Sequence, residues 1–373
     1  MSITRDNVPL FYPYVSNKTL SILKSRLKTR WIGQGPIVEK FENLFSKIFL
    51  KKKKCISTGS GTDALHLAYL LADIKKDDEV ITPVFTCTAT NIPLLYIGAK
   101  IKFCDIEKKT MNICVKSLEK LITKKTKAIV CVHYGGMPCN MDELIEIAKK
   151  KNIKIIEDAA HALGAEYKKK IIGNISDFTI FSFQAIKHIT TGDGGMLCVK
   201  DQGLVEKAKR LRWFGIDRNA KLGGIWENDV HEIGYKYQMN DIAASMGLAG
   251  LSDFKKILAK RRDIYSTYLD GLSNNKNLIC VHDFDKNKLT AAWLFTILVD
   301  KKNFLQDELR KKGIETNQVH FRNDKYSIFK RFCKNYKFPN MDEVENKYLV
   351  LPLHNKMTID DAKYVVRSIN NII

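Results

Sequence analysis

The sequence predicts an α/β protein whose main body is a mostly parallel sheet covered by helices on both faces, followed by a smaller α/β domain. Three observations carry that expectation. From about residue 55 to 200, short runs rich in β-branched and other apolar residues alternate with stretches of helical periodicity. These runs are apolar-rich, as strands covered on both sides are. Beyond residue 240 the pattern changes to a long helical stretch and then a mixture of both kinds.

In chain order, the strand-like runs are VITPVF (80–85), AKIKFCDI (99–106), KAIVCVHY (127–134), IKIIED (153–158), FTIFSF (178–183) and GMLCVK (195–200). Amphipathic segments such as NMDELIEIAKKKN (140–152) separate several of them. Crossovers in such a sheet are right-handed, and ligands collect at the carboxyl ends of the strands. Helical patterns dominate from Asp241 to Leu272. AAWLFTILVD (291–300) then reads as a strand and FLQDELRKKG (304–313) as a helix closed by Gly313. TIDDAKYVVRSINNI (358–372) reads as the last helix, with Thr358 as its N-cap. We expect a large domain over 1–250, including an N-terminal arm, and a small C-terminal domain over 251–373.

Hydrophobic content of 45% and aromatic content of 10% are those of a globular chain. No apolar run reaches about 18 residues, so no membrane span is expected. The stretch MSITRDNVPLFYPYV lacks a charged region followed by an apolar one, which predicts no secretory leader and a cytoplasmic protein. The nine cysteines are scattered without a CxxC pair, which suits reduced thiols rather than disulfides or zinc. A net charge of +21 admits nucleic acid, an acidic membrane surface or anionic small molecules as partners. Much of it lies in lysine clusters such as Lys51–Lys54, and no basic stretch is interleaved with aromatics, so nucleic acid is not expected.

Three stretches could carry chemistry. IEDAAHALGA (156–165) brings an apolar strand into Glu157 and Asp158, where α/β proteins build sites. Alone, Asp158 reads more readily as an ordinary helix N-cap. STGSGTDALHLAYLL (57–71) is a Gly/Ser/Thr turn entering a helix. It offers backbone N–H groups, hydroxyls and a positive helix end to a phosphate, or simply a turn with a capping threonine. It is neither a GxGxxG nor a GxxxxGK[ST] motif. In FSFQAIKHITTGDGGMLCV (181–199), Lys187 stands between a strand and a glycine cluster; a lysine enclosed there can lose its proton and act as a nucleophile, though most lysines are surface residues. Together, a phosphate cradle, a strand-end aspartate and a downstream lysine are what a pyridoxal-phosphate enzyme needs.

The motifs GTDALHLA, EVITPVFTCTATNIPLLYIGAKIKFCDIE, IIEDAAHALGA, FSFQAIKHITTGDGGML, EIGYKYQMNDIAASMGLAGL and LPLH resemble the DegT/DnrJ/StrS family of nucleotide-sugar aminotransferases. The resemblance spans nearly the whole chain, from VPLFYPYVS and WIGQGPIVEKFE to the last helix. It implies a fold-type-I, aspartate-aminotransferase-like architecture with a mostly parallel sheet of the seven-stranded type. It also implies pyridoxal phosphate (and its pyridoxamine form) as cofactor, a homodimer with shared sites, glutamate as amino donor and a nucleotide-linked keto sugar as acceptor. The expected acceptor position is C4 of a 4-keto-6-deoxy hexose, or else C3, in the making of deoxyamino sugars for O-antigen, lipopolysaccharide or other surface glycans.

By the same resemblance, Lys187 matches the Schiff-base lysine and Asp158 the partner of the pyridine nitrogen. His161 matches a residue near the phenolic oxygen. Gly61, Thr62, the backbone at Asp63, and Ser182 match phosphate contacts. Lys236 takes the place of a residue, most often Asn, that reaches the phosphate from the neighbouring subunit. The sequence also departs from the pattern. Gln184 replaces a common histidine and is expected near the substrate. Cys87 falls where an aromatic often stacks on the ring, with Phe85 two residues earlier. His320, Arg322 and Arg30 are candidate contacts for an anionic nucleotide sugar, with packing or surface ion pairing as their plain alternatives.

In the implied cycle Lys187 is both covalent anchor and general acid/base, and kinetics should be ping-pong. One alternative is the family's sugar 3-dehydratase branch, which commonly has histidine at the lysine position; here His188 stands beside Lys187. A non-enzymatic DNA-binding regulator is the other, although no helix-turn-helix is visible.

Overall fold

The computed structural model describes residues 7–227, 229–333 and 336–373. The first six residues, part of the stretch behind the leader expectation, lie outside the described residues. Helices α1 (Thr19–Arg26) and α2 (Pro36–Phe49) precede the sheet. The chain then alternates β1 (Cys55–Thr58), α3 (Gly61–Leu71), β2 (Glu79–Pro83), α4 (Thr88–Ile97) and β3 (Lys100–Cys104). Next come α5 (Val115–Leu121), β4 (Thr126–Val132), α6 (Met141–Lys151) and β5 (Lys154–Asp158). The two-residue strands β6 (Glu166–Tyr167) and β7 (Lys170–Ile171) lead to β8 (Phe178–Ser182) and β9 (Gly195–Val199).

The seven strands of the main sheet lie in the order β1-β9-β8-β5-β4-β2-β3. The pairs from β8 through β5, β4 and β2 to β3 are parallel, whereas β9 runs antiparallel to both neighbours. The sheet is therefore mostly parallel, as expected. Alternate residues of one strand enter different cores: Ala128 and Val130 of β4 pack in one cluster, Ile129 and Cys131 in the other. Burial on both faces is why these strands read as apolar runs. β1 was not foreseen, because CIST is short, half hydroxyl-bearing and follows four lysines.

After the sheet come α7 (Val205–Arg212), α8 (Arg218–Leu222) and the 32-residue α9 (Asp241–Leu272). Asn240 caps α9 by accepting from the N–H of Ala243. α9 packs against α1 and α2, and also against the last helix, so it ties the two halves of the chain together. The expected division at 250/251 falls inside it.

The remainder comprises β10 (Leu278–Cys280), β11 (Lys288–Leu289), β12 (Phe295–Val299), α10 (Lys302–Lys311), α11 (Pro339–Val344), β13 (Tyr348–Leu351) and α12 (Ile359–Ile372). β10, β12 and β13 form an antiparallel sheet, and β11 pairs with β6. Thr358 caps α12 in a reciprocal capping box with Asp361, as its position before the helix suggested. The strand expected over 291–300 begins only at Phe295. Ala291, Trp293 and Leu294 instead donate their N–H groups to Gly135 and Gly136 carbonyls, and Ala292 takes a left-handed φ of 51°. That irregular stretch borders the site.

Candidate active site

A cavity of about 750 Å³ opens at the carboxyl ends of the parallel strands, where Val132, Asp158 and Ser182 end β4, β5 and β8. Gly61, Thr62, Cys87, His161, Gln184, Lys187 and His320 line it as well. Residues from six separate stretches of sequence thus meet in one place.

Asp158 is 5% exposed; its Oδ2 accepts from the Thr90 hydroxyl at 2.8 Å and its Oδ1 from the Ala160 N–H at 3.2 Å. Burial pushes this carboxyl above the ordinary aspartate range, while Thr90, Ala160 and the Lys187 charge pull the other way. Thr90 lies on α4, and nothing in its neighbourhood TATN marks it as a partner of a residue 68 positions away.

Lys187 places Nζ 3.6 Å from the centroid of the Trp293 ring. Burial pulls its pKa down to about 7; Cys87 and Asp158 oppose the shift and Arg261 adds to it. Far more of this lysine than of an ordinary one is therefore free amine near neutrality, as a nucleophile or general base needs. The ring of His161 stacks on the same tryptophan at 3.7 Å, inclined by 19°. At its edge His161 meets His320, Nε2 to Nε2 at 3.3 Å. Buried Nδ1 of His161 has no hydrogen-bond partner among the described residues. Trp293 was not among the residues singled out from sequence; it sits in an apolar run that gives no sign of a site.

Burial depresses the rings of His66, His161, His188, His320 and His354, with the Lys187 charge second for His161 and also acting on His320. In the fully buried His133, by contrast, burial is outweighed by Cys139 and Glu157, which raise it to about 10 and oppose part of the pH dependence. His66 and His354 fall to about 4 and His320 to about 3. A depressed histidine contributes stability that is complete above its unfolded pKa of about 6.5 and is lost as pH falls toward the folded value. We expect the melting temperature at pH 5 to lie well below that at pH 7. An unchanged or higher value at pH 5 would contradict these neutral rings.

The turn before α3 differs in detail from the expectation. Its cap is Ser60 rather than a threonine: Ser60 Oγ accepts from the Asp63 N–H at 3.0 Å, which occupies that backbone donor. The Asp63 carboxylate packs beside Gly59 and does not line the cavity. Gly61 faces Ser182 so closely that a Cβ there would lie 3.1 Å from the serine Cβ. The return strand approaches closer still, since a Cβ on Gly195 would stand 2.3 Å from the carbonyl oxygen of Ser60. Gly195→Ala should therefore cost about 1–3 kcal/mol in urea melts. A cost below about 0.5 kcal/mol would show that the turn yields freely.

Other expected residues lie elsewhere. Arg322 is not in the cavity wall: its guanidinium donates to Asp324, Asp342 and Glu345, which leaves little of it for a substrate. Arg30 is exposed over Trp31, and Lys236 is exposed beside the Phe214 ring; neither lines the cavity of its own chain. Phe85 is buried against Tyr134 and Tyr348 rather than facing the cavity, whereas Cys87 is exposed there. His188, the neighbour of Lys187, is buried and donates to the carbonyl of Ala291 at 2.6 Å. Among the described residues no group of His, Cys, Asp and Glu could hold a metal ion, and no helix is long and apolar enough to cross a membrane.

A model of the DegT/DnrJ/EryC1/StrS aminotransferase family matches residues 13–370. GDP-perosamine synthase of Escherichia coli O157:H7 is 33% identical, with 97% of this chain and 98% of that protein covered. UDP-4-amino-4,6-dideoxy-N-acetyl-beta-L-altrosamine transaminase of Campylobacter jejuni is 34% identical, with 96% of each covered. Among solved structures, Spr1654 of Streptococcus pneumoniae in its PMP form superposes with a TM-score of 0.92 at 28% identity, covering 98% of this chain and 99% of that one.

Proposed function

We propose that this chain, which belongs to the DegT/DnrJ/EryC1/StrS aminotransferase family, moves an amino group from glutamate to the C4 keto carbon of a nucleotide-linked 4-keto-6-deoxy hexose. The class is a pyridoxal-phosphate-dependent sugar aminotransferase, and the cofactor is pyridoxal phosphate with its pyridoxamine form. The observation that carries the active-site reading is a lysine held near pKa 7 in the same cavity as a buried, hydroxyl-tethered aspartate. C4 is favoured over C3 because one relative's name specifies a 4-amino-4,6-dideoxy sugar.

The residues fit the cofactor. Glycine at 61 keeps space open against Ser182, and the unpartnered Nδ1 of His161 offers a polar contact. Lys187 would anchor the group, Asp158 would hold its ring nitrogen, and Ser182, Thr62 and the α3 end would hold its phosphate. Bound, the cofactor supplies an electron sink for the carbon that bears the amino group. Asp158, its carboxylate oriented by Thr90 and Ala160, would favour a proton on the ring nitrogen. Lys187 Nζ would take the proton from the donor's α-carbon and hand it to the bound cofactor in the first half-reaction, and in the second would carry a proton from the cofactor to the sugar carbon, a task suited to an amine whose pKa is pulled down to about 7. Trp293 covers that amine from water.

Among the described lining residues, Lys187 is the one lysine or arginine, while Asp158, Asp193 and Glu315 are carboxylates. A doubly anionic donor and a nucleotide diphosphate need more positive charge than that. A second copy bringing Lys236 or Arg30 would supply it, and the exposed Leu222, Ile225, Trp226 and Ile233 suit a buried homodimer face.

The test is a panel of dTDP-, GDP- and UDP-linked 3-keto and 4-keto sugars with glutamate, read by mass spectrometry. An amine in place of the 4-keto oxygen supports the reading. A deoxygenated, unaminated product would favour the dehydratase alternative, which the location of Lys187 and the inward-turned His188 disfavour.

A further inference from the structure

Arg261 of α9 is 3% exposed, and its bonds among the described residues go to neutral oxygens. Nε donates to the Ala292 carbonyl at 3.0 Å, and Nη2 to those of Trp293 and Leu353, both at 2.9 Å. Nη1 reaches Oδ1 of Asn355 at 3.5 Å. Burying a guanidinium without a carboxylate is costly, and a neutral donor could staple the same carbonyls. The charge itself therefore calls for a use.

The stapled backbone brackets the lysine. The Trp293 ring lies against Nζ of Lys187, and its Nε1–H donates to the carbonyl of Ile186 at 3.2 Å. On the other side of Lys187, His188 donates to the carbonyl of Ala291. Residues 291–293 thus grip both chain neighbours of Lys187, and Arg261 grips residues 292 and 293. Ala292 stays in its left-handed conformation within this clamp.

We propose that Arg261 is a positioning residue for Lys187: it clamps the Trp293 segment against the amine and sets an unpaired cation behind it, so that the amine stays free to react. The inference rests on the reading of Lys187 as the reactive amine. Lys187 is also faced by Cys87 from the start of α4, Asp158 from β5, His161 and His188 from the flanking loops, and His320. Asp193 and Glu315 line the same cavity. Of these, the two cysteine and aspartate groups favour the protonated lysine, and Arg261 opposes them.

The full chain, freed of cofactor, is acetylated with acetic anhydride across pH 5–11, and modification of Lys187 is followed by peptide mass spectrometry. Two variants are compared with the wild type. Arg261→Met removes the cation; Asn355→Asp keeps it but places a carboxylate of the same size beside it. Both should move the Lys187 midpoint upward by roughly half to one pH unit. If Arg261→Met does not fold, Asn355→Asp decides alone, since it keeps the Arg261 bonds to residues 292 and 293 and gives up only the Asn355 amide bond to the Ile257 carbonyl. A folded variant with the wild-type midpoint would overturn the proposal. A wild-type midpoint at the ordinary value of about 10 would overturn it together with the reading of Lys187 beneath it.

Discussion

Lys187→Ala is expected to lower the turnover of glutamate and keto sugar by roughly 10⁴-fold or more, because the proposed function makes one side chain both anchor and proton carrier. Losing either role alone would leave a residual rate; losing both at once leaves only the binding and orientation of the substrates. The fold should survive. The lysine pays for its burial with a pKa drawn to about 7, so alanine removes a strained group rather than a stabilising one. The sign is that of a depressed base: its contribution to stability is complete above about pH 10.4 and falls away as pH drops toward 7. Near neutral pH the variant should melt no lower than cofactor-free wild type. Its turnover within tenfold of wild type would remove Lys187 from the mechanism.

Asp158→Asn should have the second largest effect, a loss of roughly 10²–10³-fold in kcat. The amide keeps the shape and can still accept from Thr90, but it carries no charge to hold a proton on a ring nitrogen. Because burial already pushes this carboxyl upward, removal of its charge relieves a desolvation cost. The melting temperature should stay close to that of the wild type while the rate falls. A parallel collapse of both would assign Asp158 to the fold instead.

Much of this was legible in the sequence, for physical reasons that differ from element to element. β2 to β5 and β8 stood out because strands buried on both faces must be apolar throughout. The reversed direction of β9 was not legible, since periodicity reports burial and not polarity of pairing. Lys187, Asp158 and the turn at Gly59–Thr62 were found as a set, and they converge on one cavity. Within that turn the sequence could not decide which hydroxyl caps α3, because Ser60 and Thr62 are equally able and only backbone geometry separates them. The ion pairing of Arg322 was not legible for a related reason. Its three carboxylate partners include Asp342 and Glu345, some twenty residues on, and the ion pairs exist only once α11 is in place. Trp293, Thr90 and Arg261 were invisible because their importance lies in contacts with residues far away in the chain.

The central claim is that this chain carries out the amino-donor half of a transamination through Lys187. The most direct measurement adds glutamate alone to the chain loaded with pyridoxal phosphate and counts the 2-oxoglutarate released. We predict about one equivalent per cofactor site from the wild type and none on the same timescale from Lys187→Ala. A cofactor-loaded wild type that releases none, or a Lys187→Ala variant that matches it, would contradict the account.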